Sequence, residues 1–124
     1  MALIMLADDE PDIVAMLKDL LTMRGHQVVS VPDGVQMIEK AKDWRPHLII
    51  ADLMMPGAYG SAAYKALAED SATASIPVIF LTAVAPDTAQ RVVPESPRVR
   101  LMHKPVEIKA LLATIEELTK PPAA

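Results

Sequence analysis

Leu48-Ile49-Ile50-Ala51-Asp52-Leu53-Met54-Met55-Pro56 decides the fold: four apolar residues in a row, then a carboxylate, then a turn closed by proline. A run this short and this continuously apolar reads as a strand covered on both faces, the kind that parallel sheets use. Leu3–Ala7 and Val78–Leu81 are runs of the same type. Gln27–Val31 and Val99–Met102 are more mixed and suit the sheet edges. Between them lie stretches with helical spacing. Ile13, Val14, Leu17, Leu20 and Leu21 form the first, with Pro11 at a first helical position and Gly25 just past the end. Val35, Ile38 and Ala41 form a second stripe after an Asp33-Gly34 turn; Tyr64, Leu67 and Ala68 suggest a third. Ile108, Leu111, Leu112, Ile115 and Leu118 make the last. Strands alternating with helices predict an α/β fold, a (βα)5 doubly wound parallel sheet with right-handed crossovers.

The 124 residues suit one domain, with residues 1–120 as the domain and Pro121-Pro122-Ala123-Ala124 as a tail or the start of a linker. No cysteine occurs, which excludes disulfides and thiolate metal sites. Met1 to Leu6 lacks the basic flank and cleavage site of a signal peptide, and no apolar run approaches the roughly 20 residues that span a bilayer. A cytoplasmic location fits, with no membrane partner. Lysine and arginine number 12 against 16 aspartates and glutamates, for a net charge of −4. The one basic cluster is Arg91, Arg98, Arg100, His103 and Lys104, and aromatic residues make up 3%. With neither a basic stripe nor a stacking platform, direct nucleic-acid binding is not expected.

In open parallel sheets, ligands bind outside the carboxyl ends of the strands. There the chain places Asp8-Asp9-Glu10 after strand one, Asp52 after strand three, Thr82 after strand four and Lys104 after strand five. Taken singly, these have ordinary readings: a solvated acidic loop capping a helix, a turn residue, a strand-end threonine and a surface lysine. Their coincidence at four strand ends favours function. Converging carboxylates oppose one another's ionisation, and a hard divalent cation such as Mg²⁺ relieves this with oxygen ligands. A carboxylate can also attack phosphorus to give an aspartyl phosphate, with a metal, an ammonium and a hydroxyl stabilising the phosphoryl oxygens.

The Asp8-Asp9 pair, Asp52 followed by Leu53-Met54-Met55-Pro56-Gly57, Thr82-Ala83 and Lys104-Pro105 together resemble the receiver domains of bacterial two-component response regulators. The resemblance runs from about Leu3 to Leu118. It implies a flavodoxin-like sheet with strand order 2-1-3-4-5. It also implies Asp52 as phosphoacceptor and Mg²⁺ held by Asp9 and Asp52, with Asp8 acting through water and the Met54 backbone carbonyl adding a ligand. Thr82 and Lys104 would contact the phosphoryl group, and Lys104-Pro105 would be cis. The implied partners are a histidine kinase or phosphotransfer protein and an output partner or output domain. Such a chain is a phosphoacceptor switch rather than an enzyme of metabolism. An aspartate-nucleophile phosphatase would need an acid two residues past Asp52, where Met54 stands. A degenerate receiver, binding partners without phosphorylation, is the alternative reading.

Two stretches depart from the family. Leu101 stands where many members carry an inward-swinging tyrosine or phenylalanine. Pro86, Pro94 and Pro97 crowd the region of the fourth helix, which is expected to end at or before Val93. Met54 and Val84, which cannot orient an attacking water, imply slow self-dephosphorylation. His26 and His47 are expected at strand starts opposite the site, and His103 is expected to point away from Lys104. Trp44 and the methionines read as core or helix cover, Ser61 and Thr73 as cap or loop hydroxyls.

Overall fold

The structure, a computed structural model, describes residues 2–53, 60–83 and 98–119. The elements are β1 (Leu3–Ala7), α1 (Pro11–Met23), β2 (Gln27–Val31), α2 (Gly34–Trp44), β3 (Leu48–Asp52), α3 (Gly60–Ala68), β4 (Val78–Thr82), β5 (Val99–His103) and α4 (Ile108–Thr119). All strand pairs are parallel, in the order β2-β1-β3-β4-β5. β3 and β4 are buried at every residue, which is why their sequences run apolar without alternation. The edge strands β2 and β5 are partly exposed, as their mixed composition implies.

Successive strand residues point to opposite faces of the sheet, and each face carries its own core. Met5, Ala7, Ile49, Ala51, Val78 and Phe80 pack with Met37 and Ala41 of α2 and with Ala63 and Leu67 of α3. Ile4, Leu6, Leu48, Ile50, Ile79 and Leu81 pack with Leu17 and Leu21 of α1 and with Leu111 and Ile115 of α4. Tyr64 meets Phe80 edge-on at 6.1 Å between ring centroids. The α2 stripe differs from its sequence reading. Val35 is 48% exposed, and Met37 is the buried residue beside Ala41, with Ile38 partly buried.

Local chemistry sets the ends of the elements. Pro11 opens α1, and Gly25, at φ 89, turns the chain out of it. Asp33 caps α2 by accepting from the Gln36 N–H at 2.8 Å. Arg45 ends that helix in the left-handed region at φ 47, unusual for a residue with a Cβ. Thr73 donates its hydroxyl to the Leu67 carbonyl at 2.7 Å, and Lys42 meets Asp70 at 3.4 Å, tying α2 to the loop after α3. His26 and His47 lie just before β2 and β3, on the edge away from the acidic residues. Their Nδ1 atoms accept the Ala2 and Leu3 N–H groups at 3.1 and 2.8 Å, so the two rings pin the start of β1. Met5 and Met37 are core, whereas Met16, Met23 and Trp44 are exposed, Trp44 lying beneath the Lys40 ammonium. The proline-rich segment 86–97 and residues 121–124 lie outside the described residues.

Candidate functional site

The sheet register places the site. Asp52 is the last residue of β3, Thr82 the last of β4, and Lys104 follows β5 directly. The Lys104 N–H donates to the Thr82 carbonyl at 2.8 Å, so the end of β5 is tied to the end of β4 and its lysine turns back over the sheet edge. The Lys104–Pro105 bond is cis. Asp8 lies just past β1, its N–H donating to the Val31 carbonyl at 3.3 Å. Its Oδ1 accepts the Glu10 N–H at 2.9 Å, a local turn that fixes the rotamer of Asp8.

These elements bring Lys104 against three carboxylates. Its Nζ lies 3.3 Å from Asp8, 3.1 Å from Asp52 and 2.7 Å from Glu10. The lysine side chain is 10% exposed, those of Asp8 and Asp52 7% and 8%, and that of Glu10 54%. An ammonium has three protons, and three acceptors are in place for them. Thr82 is fully buried beside the group.

The electrostatics follow from burial and pairing. Burial holds the Asp8 carboxyl above its usual range, and the Asp52 charge adds to that. The Glu10 N–H and the Lys104 ammonium pull the other way without cancelling it. Burial by itself would favour neutral Lys104. Its hydrogen bonds to Glu10 and Asp52 and the charges of Asp8 and Asp52 outweigh this, and its pKa is raised. The lysine is therefore fully charged at neutral pH.

The sequence-predicted residues Asp8, Asp52, Thr82 and Lys104 stand together. Asp9 is exposed and lines, with Asp8, Pro11, Val14, Pro32 and Asp33, a cleft of about 400 Å³ on the β2 side. Met54 lies outside the described residues. Among the described residues, the carboxylates whose oxygens come within 4.8 Å of one another are Asp8, Glu10 and Asp52. Glu10 was visible in the sequence as the third acid of Asp8-Asp9-Glu10, next to Pro11, but its position gave no sign that it would reach Lys104. His103 is exposed, and Leu101 is half-buried against the core on the β4 side.

A parallel sheet in the order 2-1-3-4-5 defines the flavodoxin-like class, and here carboxylates and one ammonium gather at its carboxyl edge. The chain belongs to the response regulator receiver domains, whose family model matches residues 4–116. It is 32% identical over 115 residues to protein PilH of Pseudomonas aeruginosa, covering 93% of this chain and 95% of PilH. It is 33% identical over 117 residues to response regulator RR06 of Streptococcus pneumoniae, covering 94% of this chain and 52% of RR06. The chain thus spans nearly all of one relative and about half of the other. The signal receiver domain of a histidine kinase from Syntrophus aciditrophicus is similar in structure, with a TM-score of 0.87 at 26% identity, covering 100% of this chain and 96% of that one.

Proposed function

We propose that Asp52 is the residue that takes up the phosphoryl group, within a Mg²⁺-dependent phosphorelay fed by a histidine kinase or phosphotransfer protein. The observation that carries this is the Lys104 ammonium, set 3.1 Å from Asp52 and 3.3 Å from Asp8, all three side chains nearly buried at the carboxyl edge of the sheet. A buried, fully charged lysine beside a central carboxylate stabilises charge that develops when that carboxylate attacks phosphorus. An Asp52 oxygen forms the new P–O bond as the P–N bond of a phosphohistidine breaks. The electron pair leaves with the imidazole nitrogen, which then takes a proton. Hydrolysis of the acyl phosphate returns Asp52 and inorganic phosphate. Thr82, on the neighbouring strand end, supplies a hydroxyl for a phosphoryl oxygen.

The donor set fits magnesium. Asp8 and Asp52 offer only hard carboxylate oxygens, and these lie within 4.8 Å of each other, a spacing compatible with one small cation. Asp8, Asp9 and Asp52, with the Met54 carbonyl, are the residues assigned to hold it. When bound, the metal supplies positive charge against the phosphoryl oxygens. Among the described residues no helix is long and apolar enough to cross a membrane, and a cytoplasmic setting suits a phosphorelay. The readout belongs to a partner protein or an output domain. Labelling with acetyl phosphate tests the reading. Wild type with Mg²⁺ should gain one phosphoryl group, and both EDTA and Asp52→Asn should abolish the gain. Equal labelling of Asp52→Asn would refute the assignment.

A further inference from the structure

Glu10 stands at the N-cap of α1, yet its side chain makes no capping hydrogen bond. The carboxylate goes instead to Lys104 at 2.7 Å, the shortest of the three contacts of that ammonium. An acid in this place would ordinarily face the free N–H groups of the helix start. Here the lysine has taken it. The same carboxylate is 54% exposed, against 7% and 8% for Asp8 and Asp52. It can rotate into water at little cost, whereas the two aspartates cannot leave without stranding buried charge.

We propose that Glu10 is a positioning residue that holds the Lys104 ammonium while Asp52 is unmodified and releases it to the phosphoryl group once Asp52 is phosphorylated. This rests on the reading of Asp52 as phosphoacceptor. The donor count favours an exchange. Lys104 has three protons and three acceptors; a phosphoryl oxygen can inherit the contact that Asp52 makes before modification, and a second phosphoryl oxygen gains a proton only if another acceptor gives way. Glu10 is the acceptor that solvent can take over. The phosphoryl oxygens compete for the lysine with more charge than a carboxylate carries. Until that point, the negative charge of Glu10 also opposes the approach of an anionic phosphodonor. Glu10 therefore restrains phosphorylation and reports it, because a carboxylate at the head of α1 becomes free when the switch is set.

The test follows the Glu10 side-chain carboxyl carbon by NMR in the whole chain, first with Mg²⁺ alone and then with Mg²⁺ and beryllofluoride, which mimics a phosphoryl group on an aspartate. The resonance should hold its lysine-bound position with Mg²⁺ and move to that of a free glutamate when beryllofluoride binds. In parallel, the phosphorylation rate with acetyl phosphate should rise about fivefold in Glu10→Ala and Glu10→Gln, the factor carried by one unit charge about 4 Å from an anion in water. A resonance unmoved by beryllofluoride while Asp52 takes it up would overturn the hand-over and leave the phosphoacceptor reading intact. Movement with Mg²⁺ alone, or slower phosphorylation of both variants, would also overturn it. No uptake of beryllofluoride or phosphoryl by wild type would remove the Asp52 reading and this inference with it.

Discussion

Replacing Lys104 with methionine keeps most of the aliphatic stem and removes the charge, so it isolates what the ammonium does for the fold. In wild type that ammonium meets Asp8 at 3.3 Å and Asp52 at 3.1 Å, both nearly buried. Removing one partner of a buried ion pair costs about 3–5 kcal/mol. Two features reduce that here: the site lies at the sheet edge, and Glu10, being half-exposed, loses little when its partner goes. We expect Lys104→Met to lose about 2–3 kcal/mol at neutral pH without metal, or roughly 6–12 °C in Tm. The pH dependence has a definite sign. Burial already holds Asp8 above its usual range, and losing the lysine raises it further. A carboxyl raised in the folded state costs stability above its unfolded pKa, and the cost fades as pH falls toward that value. The deficit of the variant should therefore shrink between neutrality and about pH 5, and millimolar Mg²⁺ should recover part of it at neutral pH. Urea unfolding in EDTA and in Mg²⁺, at both pH values, measures this. A deficit below about 0.5 kcal/mol, or one that grows on acidification, would refute the argument, since the lysine would then be no more than a surface ion.

Mg²⁺ should raise the Tm of the unphosphorylated wild type by relieving repulsion among Asp8, Asp9 and Asp52, and Asp9→Ala should reduce the rise; a melting series in Mg²⁺ measures it. Burial lowers the pKa of His26, whose Nδ1 accepts the Ala2 N–H, so the neutral ring stabilises the fold above the usual histidine pKa and that contribution is lost as pH falls through the lowered value. Wild type should weaken between about pH 7 and pH 5.5, and His26→Gln, which keeps an acceptor without titrating, should weaken less; urea midpoints check this. Arg45→Gly should stabilise by about 0.5–1 kcal/mol, because it relieves the left-handed backbone at φ 47 but adds freedom to the unfolded chain, and equilibrium unfolding reads the gain directly.

The strands were legible because burial on both faces leaves a continuous apolar run that few other elements produce. Leu48–Ala51 and Val78–Leu81 grew by one residue each, Asp52 and Thr82, because a polar residue at a strand end still pairs in the ladder. The edge positions of β2 and β5 followed from their mixed composition. The α2 stripe was harder, since three apolar residues at spacing three do not determine which neighbour turns inward. Met37, long and flexible, fills the core there, and Val35 is left in water. Asp8, Asp52, Thr82 and Lys104 could be placed together because a parallel sheet brings strand ends to one edge. Glu10 could not, because the direction of an N-cap side chain depends on which partner the fold sets opposite it. Met54, Val84 and the segment 86–97, with the expected short helix, lie outside the described residues.

The most direct test of the central claim traps the modification where it forms. The chain is incubated with acetyl phosphate and Mg²⁺, treated with borohydride, and digested for mass spectrometry. Borohydride reduces an aspartyl phosphate to homoserine and leaves a free aspartate unchanged. The account predicts homoserine at position 52, dependent on Mg²⁺ and absent without the phosphodonor. Reduction at Asp8, Asp9 or elsewhere with Asp52 intact, or no reduction after a phosphoryl group has been taken up, would contradict it.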